Sequence, residues 1–313
     1  MSAKDDSQNH AERIGRLPQG AGIEWDTRRK FRLAGYRFHM PLSLDRLSRS
    51  GKNEKNYADN VFFLLKSPDI IARYLGLLRE AKLKNVVQLG VFRGGSVAFL
   101  QLLARPERLL AMELHPERQV FLDRFIDHEG LGESVRVEYG IDQADTENVA
   151  RLVRETMGRG RQIDYVFDDA SHMLTPTRSS FETLFPLIRP GGAYIVEDYA
   201  AAQLVVGGFQ QAASGSDSDR EVFNHLLAHS LQADHQPVHL LAVEAMLASI
   251  NDPGIVRRVV VDRQWLKIVR GVREIDPAEG FDLRRLANDR FGLLDSSPDA
   301  EFKTYLDANS RSG

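Results

Sequence analysis

Two short stretches concentrate the residue types that carry acid–base and metal chemistry. One is Phe167-Asp168-Asp169-Ala170-Ser171-His172; the other is Val196-Glu197-Asp198-Tyr199. Each follows an apolar run that reads as a buried strand. With those strands side by side, four carboxylates and one histidine come to a single patch. Carboxylates crowded together repel one another unless a cation is present. An all-oxygen set suits a hard divalent ion, Mg²⁺, Mn²⁺ or Ca²⁺, better than zinc. Zinc is further disfavoured by the absence of cysteine and of a second nearby histidine. His172, three residues beyond Asp169, is of the residue type that serves as a general base near neutral pH. Taken singly, Asp168 and Asp169 read more simply as caps of the following turn, and His172 as a satisfied surface histidine. Taken together, the set reads as a metal site, Asp169, Glu197 and Asp198, beside a base.

A second group lies at the ends of earlier apolar runs. Gln88-Leu89-Gly90-Val91-Phe92-Arg93-Gly94-Gly95-Ser96 is a glycine-rich turn between a strand and a helix. Gly90 and Gly94 lack a Cβ, so the backbone turns tightly and a ligand can approach it. Ser96 suits a helix cap. The Gly-Lys-Ser/Thr ending of a P-loop is missing, and so is the G-x-G-x-x-G dinucleotide spacing. A tight turn with no ligand is the other reading. Glu113 ends the next strand, about 20 residues on, where an acid is placed for ribose hydroxyls. Asp142 and Gln143 end the third strand and suit either a nucleoside base or a turn and helix cap.

Strands alternating with helices must position these groups. Residues 68–81 place Ile70, Ile71, Tyr74, Leu75, Leu77 and Leu78 on one helical stripe, with Pro68 in the first turn. Then follow the strand NVVQLG, a helix from Ser96 to about Ala104, the strand RLLAMEL, the helix PERQVFLDRFIDHEG and the strand VRVEYG. TENVARLVRETMG is a helix, IDYVFDDAS a strand, TRSSFETLFPLI a helix and GGAYIVEDY a strand. This alternation implies βαβ units, a mostly parallel sheet and helices on both faces. Ligands in such sheets bind outside the carboxyl ends of the strands, where strand order reverses. Residues 200–219 interrupt the pattern, either as a lid over the site or as a plain connection. Two helical segments follow, REVFNHLLAHSLQ and HLLAVEAMLASI. RRVVVDRQWLKIVRG then reads as an antiparallel hairpin around Asp262-Arg263-Gln264.

Composition narrows the partners. The chain has 313 residues, 42% hydrophobic, with net charge −3 and no cysteine. The charge argues against a mainly electrostatic nucleic-acid binder. Zero cysteine suits a cytoplasmic protein, and no apolar stretch reaches the roughly 18 residues of a membrane span. Residues 1–55 read as a partly disordered N-terminal extension. Within it, Trp25 to about Ser50 alternates basic and aromatic residues, either as a solvated segment or as a cap or oligomer arm. A catalytic domain over 56–275 and a C-terminal extension over 276–313 complete the expected organisation, with a homo-oligomer expected.

The glycine turn, Glu113, Asp142-Gln143 and the terminal hairpin together resemble the class I S-adenosylmethionine-dependent methyltransferases. The segment from Asp168 to Tyr199 is similar to the metal-dependent sugar O-methyltransferases of macrolide biosynthesis and to the cephalosporin hydroxylase and rhamnosyl O-methyltransferase group. The resemblance covers about residues 60–270. It implies a Rossmann-like, seven-stranded sheet ending in an antiparallel hairpin. It also implies methyl transfer from S-adenosylmethionine to a hydroxyl of a small molecule, a sugar or other vicinal diol. Gln88, Gly90, Gly94, Ser96, Glu113, Asp142, Gln143 and Asp168 would bind the cofactor. Asp169, Glu197 and Asp198 would hold Mg²⁺ or Mn²⁺, and His172 would take the substrate proton. Two positions depart from the pattern: Gln88 replaces an acid, which weakens a contact to the methionine amine, and Ala170 replaces a glycine. The alternative class is a module that binds the cofactor or a nucleotide without transfer. A nicotinamide oxidoreductase lacks its G-x-G-x-x-G turn here, and an iron hydroxylase lacks a second histidine.

Overall fold

The structure is a computed structural model. It describes residues 17–40, 61–158, 160, 162–200, 236–276, 279–290 and 293–294. The chain divides into two compact units. One comprises Met1–Lys84, Val91–Ala111 and Pro116–Tyr139; the other comprises Asn85–Gly90, Met112–His115 and Gly140–Gly313.

The first unit begins with a four-stranded sheet. Its strands are β1 (Glu24–Thr27), β2 (Lys30–Leu33), β3 (Tyr36–His39) and β4 (Val61–Phe63). The first three pair antiparallel and β4 joins β3 in parallel. Alternation turns Phe31, Leu33, Tyr36 and Phe38 inward and Arg32 and Arg37 outward. Helices α1 (Pro68–Glu80), α2 (Gly95–Ala104) and α3 (Val120–His128) belong to the same unit. Phe31 and Phe38 stack at 4.9 Å, and both meet Phe99 of α2 edge-on at 5.9 Å. Each such pair adds about 0.5–1.5 kcal/mol beyond the area it buries. The Tyr36 hydroxyl donates to Glu129 at 2.7 Å. The basic-aromatic segment is therefore not simply a solvated strip. Its described aromatics, Trp25, Phe31, Tyr36 and Phe38, are core. A boundary at residue 55 also separates β4 from the sheet it completes.

Helix α1 starts as expected, with the Ser67 hydroxyl accepting the Ile70 N–H at 3.3 Å and Pro68 in the first turn. Ile70, Ile71, Tyr74, Leu75 and Leu77 are buried, whereas Leu78 is half-buried.

The larger sheet contains β5 (Asn85–Leu89), β6 (Arg108–Glu113), β7 (Val135–Tyr139), β8 (Ile163–Asp168), β9 (Ile188–Glu197), β10 (Val256–Val261) and β11 (Trp265–Arg270). Their order is β10-β11-β9-β8-β5-β6-β7. The chain steps outward from β5 to β7, then returns to the other side of β5 with β8, so strand order reverses between β5 and β8. β5 pairs parallel with β8, and β8 with β9. β11 inserts antiparallel beside β9, and β10 pairs antiparallel with β11. The sheet is thus mostly parallel and ends in the expected hairpin. Val86, Val87, Leu89, Val166, Ala193, Tyr194, Ile195, Leu266 and Ile268 are essentially inaccessible. Strands covered on both faces read as continuous apolar runs, as these do.

The second unit also carries α4 (Thr146–Met157), α5 (Leu174–Leu184), α6 (Leu240–Asn251) and α7 (Leu283–Ala287). The buried Glu244 of α6 receives Arg178 of α5 through a two-nitrogen fork and Arg284 of α7 at 3.4 Å. The Leu283 N–H donates to Glu182 at 2.9 Å. A boundary at 276 would cut off α7, which these contacts dock onto α5 and α6. The proposed lid at 200–219 and the helix at 220–232 lie outside the described residues, apart from Ala200. Among the described residues no helix is long and apolar enough to cross a membrane.

Candidate active site

The β5–β8 reversal sets the site. At the end of β5, Gly90 has φ +86°, and a Cβ there would fall 2.2 Å from the Asp169 carbonyl oxygen. Only glycine permits this approach, which lets the Asp169 N–H donate to Leu89 O at 3.0 Å. Gln88 is buried and turned back on its own turn, donating from Nε2 to Gly90 O at 2.9 Å. That bond supports the turn. Glu113, half-buried at the end of β6, accepts the His115 N–H at 3.0 Å.

Gly94 and Ser96 belong to the first unit. Gly94, at φ +80°, is itself the N-cap of α2, so Ser96 lies inside the helix and is not its cap. A Cβ on Gly94 would fall 2.8 Å from the Leu122 Cβ, and one on Gly95 1.8 Å from the Phe63 carbonyl oxygen. Packing against α3 and β4 thus requires glycine at both positions.

The third strand end separates its two candidates. Asp142 is exposed and its carboxylate accepts the Ala144 N–H at 2.8 Å, an Asx turn. The cap of α4 is Asp145, which accepts the Asn148 N–H at 3.1 Å. Gln143 is buried. Its Nε2 donates to Asp168 Oδ2 at 3.2 Å and to Ser180 Oγ at 3.0 Å, while its Oε1 accepts the Ser171 N–H at 3.0 Å.

Asp168 is only 1% exposed. The Tyr194 hydroxyl donates to its Oδ2 at 2.6 Å, and Ser180 lies between the two, 2.8 Å from the Tyr194 oxygen. Burial pushes the Asp168 carboxyl up to about 6, against the pull of the Tyr194 hydrogen bond and the field of His172. Burial also holds the Tyr194 hydroxyl well above its ordinary range. Sequence reasoning missed Tyr194 and Ser180. The signal was a tyrosine inside an apolar strand, whose hydroxyl must find a partner, and a serine on the buried face of α5.

Asp168 and Asp169 part company at the strand end. Asp168 meets Tyr194, whereas Phe167, one residue earlier, meets Trp265 with ring centres 6.1 Å apart. Glu197 pairs with Trp265 across β9 and β11 and so lies at the Phe167 face, opposite Asp168. Glu197 is buried, whereas Asp169 and His172 are partly open to solvent. His172 Nε2 stands 3.8 Å from Asp169 Oδ1, an ion-pair distance rather than a hydrogen bond. His172 and Asp198 both adopt left-handed backbone conformations, φ 54° and 50°. That region is uncommon for residues with a Cβ, though Asp and His enter it more readily than most. The Asp198 N–H donates to Gln264 O at 2.9 Å, and the Tyr199 hydroxyl donates to Asp262 O.

The carboxylates have the chemistry of a hard-ion set but not its arrangement. Among the described residues no three His, Asp or Glu side chains converge as metal ligands would. Asp169, Glu197 and Asp198 stand at the ends of the adjacent strands β8 and β9 and, as placed, are not gathered into a three-ligand set. What the site does offer is an imidazole beside a carboxylate at the carboxyl ends of parallel strands.

Residues 87–199 match a family model described as a methyltransferase domain. Over 57 residues the chain is 46% identical to mycinamicin VI 2''-O-methyltransferase of Micromonospora griseorubida, covering 18% of this chain and 13% of that protein. Over 84 residues it is 37% identical to 8-demethyl-8-(2-methoxy-alpha-L-rhamnosyl)-tetracenomycin-C 3'-O-methyltransferase of Streptomyces olivaceus, covering 26% of this chain and 20% of that protein. The matched segments thus span a small part of these curated relatives. One solved structure, the MycE methyltransferase of the mycinamycin pathway in complex with Mg, SAH and mycinamycin VI, is 20% identical with a TM-score of 0.42, covering 65% of this chain and 49% of that one. The chain resembles the class I S-adenosylmethionine-dependent methyltransferases, and the methyltransferase-domain match runs from β5 to the end of β9.

Proposed function

We propose that this protein transfers the methyl group of S-adenosylmethionine to a hydroxyl of a small molecule, with His172 as the general base. The observation that carries the reading is the Asp169–His172 pair on a turn at the β5–β8 reversal, inside the matched segment. The relatives whose names specify sugar O-methylation favour a sugar, or another acceptor with neighbouring hydroxyls.

The chemistry asks little covalent work of the protein. The sulfonium of the cofactor carries positive charge that disperses as the methyl moves, so alignment of oxygen, carbon and sulfur supplies much of the rate. The acceptor hydroxyl must lose its proton. His172 takes it, with the Asp169 carboxylate 3.8 Å from its Nε2. Glu113, at the end of β6, has the acceptor atoms that ribose hydroxyls require. Asp169, Glu197 and Asp198 are the residues that would hold a divalent ion, which would ease loss of the hydroxyl proton when bound; the proton itself goes to His172.

Calorimetry of S-adenosylmethionine against wild type and Glu113→Ala tests cofactor binding. The variant should bind more weakly by roughly 1–3 kcal/mol, the worth of hydrogen bonds to a charged group. EDTA should leave the wild-type affinity unchanged. Equal affinities for the two proteins would remove Glu113 from the cofactor site.

A further inference from the structure

We infer that Gln143 is a positioning residue for the base, not a contact to the cofactor. The inference rests on the methyl-transfer reading only for the purpose of the positioning; the geometry stands by itself. Residues 169–173 carry Asp169 and His172, and their backbone is tied from separate strand ends. The Asp169 N–H goes to Leu89 O at the end of β5 at 3.0 Å. The Ala170 N–H goes to Asp168 Oδ1 at 3.4 Å, and the Met173 N–H to Ser171 Oγ at 3.3 Å. The Ser171 N–H goes to Gln143 Oε1 at 3.0 Å. That last bond comes from beyond β7, 28 residues away in sequence.

The other end of the Gln143 amide is equally committed. Its two N–H groups face Asp168 and Ser180, and Tyr194 closes the cluster from β9. A carboxamide with its oxygen on one backbone N–H and its nitrogen on two buried oxygens has a fixed orientation and little capacity left for a nucleoside base. Ser171, which it fixes, immediately precedes His172, whose φ is 54°. Holding the residue before a left-handed position restrains the direction in which the imidazole leaves the backbone. Gln143 thus acts on the base through Ser171.

Gln143→Asn keeps the amide but shortens it by one methylene, so it no longer spans Ser171 and Asp168 together. Hydrogen exchange of amides 170–173 should accelerate by about tenfold or more, while β5 amides hold their wild-type rates. The His172 imidazole resonance, assigned by its loss in His172→Ala, should shift or broaden. S-adenosylmethionine affinity should stay within about threefold of wild type. Tyr194→Phe, which keeps the ring and removes one donor to Asp168, should give the same pattern with a smaller factor and serves if the first variant does not fold. Wild-type exchange at 170–173 in the folded variants overturns the inference, as does loss of cofactor affinity with unchanged exchange. Wild-type protein that fails to bind S-adenosylmethionine overturns the proposed function instead, and the exchange comparison still decides the role of Gln143.

Discussion

The turns after β8 and after β9 carry the same kinds of residue and are held by different means. After β8, side chains do the holding: Gln143, Ser180 and Tyr194 surround Asp168, and the Gln143 oxygen fixes Ser171. After β9, the hairpin does it. The Asp198 N–H bonds the Gln264 carbonyl, and Asp262 Oδ1 accepts the Gln264 and Trp265 N–H groups at 2.9 Å each. The first turn is anchored in a dry cluster, where an unmade hydrogen bond is costly. The second lies at a partly exposed hairpin tip, where water can replace what is lost. The difference separates two jobs that adjacent acids perform: Asp168 supports the turn from within, whereas Asp169, beside it, faces His172 and solvent.

The largest expected break lies where the two backbones touch. Gly90→Ala puts a Cβ against the Asp169 carbonyl at a positive φ, and neither partner is a side chain that can swing away. Denaturant unfolding should show a loss of roughly 3 kcal/mol or more. Stability near wild type would mean that the β5 and β8 ends are not packed as described.

Asp168 gives a pH-dependent test. Its folded pKa of about 6 lies above the ordinary 3.8, so the folded state holds this proton more tightly than the unfolded chain. The contribution is fully present below 3.8 and is lost as pH rises through about 6. The whole excursion corresponds to roughly 3 kcal/mol. Asp168→Asn cannot ionise. Its stability relative to wild type should therefore improve as pH rises from about 4 to about 7, whatever offset its altered hydrogen bonds introduce. A difference that is flat across this window would show that Asp168 is not a desolvated acid.

The second turn should yield less. Asp262→Ala removes one acceptor from the Gln264 and Trp265 N–H groups at a part-buried turn, and should lower stability by roughly 1–2 kcal/mol. Exchange at Gln264 and Trp265 should quicken while amides 170–173 remain as in wild type. Coupled changes in both turns would contradict their independent anchoring.

Much of this architecture is legible in the sequence because burial writes it there. Parallel strands read as apolar runs such as NVVQL and YIVE, and the hairpin announces itself by Val alternation around Asp262-Arg263-Gln264. The N-terminal sheet was harder to see. Its strands are only three or four residues long, and their outward arginines make the segment look solvated. At the site, the acids and His172 were visible as types, but their directions were not. Alternation along β8 and β9 decides which acid meets Tyr194 and which meets His172. Ser96 looked like a cap because the true one, Gly94, caps through its backbone alone. At Gln143 and Gly94 packing and ligand binding call for the same residue type, so the sequence alone does not separate the two.

The central claim is that His172 removes the acceptor proton. The direct test follows labelled methyl from S-adenosylmethionine into deoxysugar glycosides that bear neighbouring hydroxyls, for wild type and for His172→Ala. Wild type should transfer label, and the variant should do so about 10²–10⁴-fold more slowly at unchanged cofactor affinity, with the acidic limb of the pH–rate profile gone. Transfer by His172→Ala at the wild-type rate, with the same acidic limb, would contradict the account.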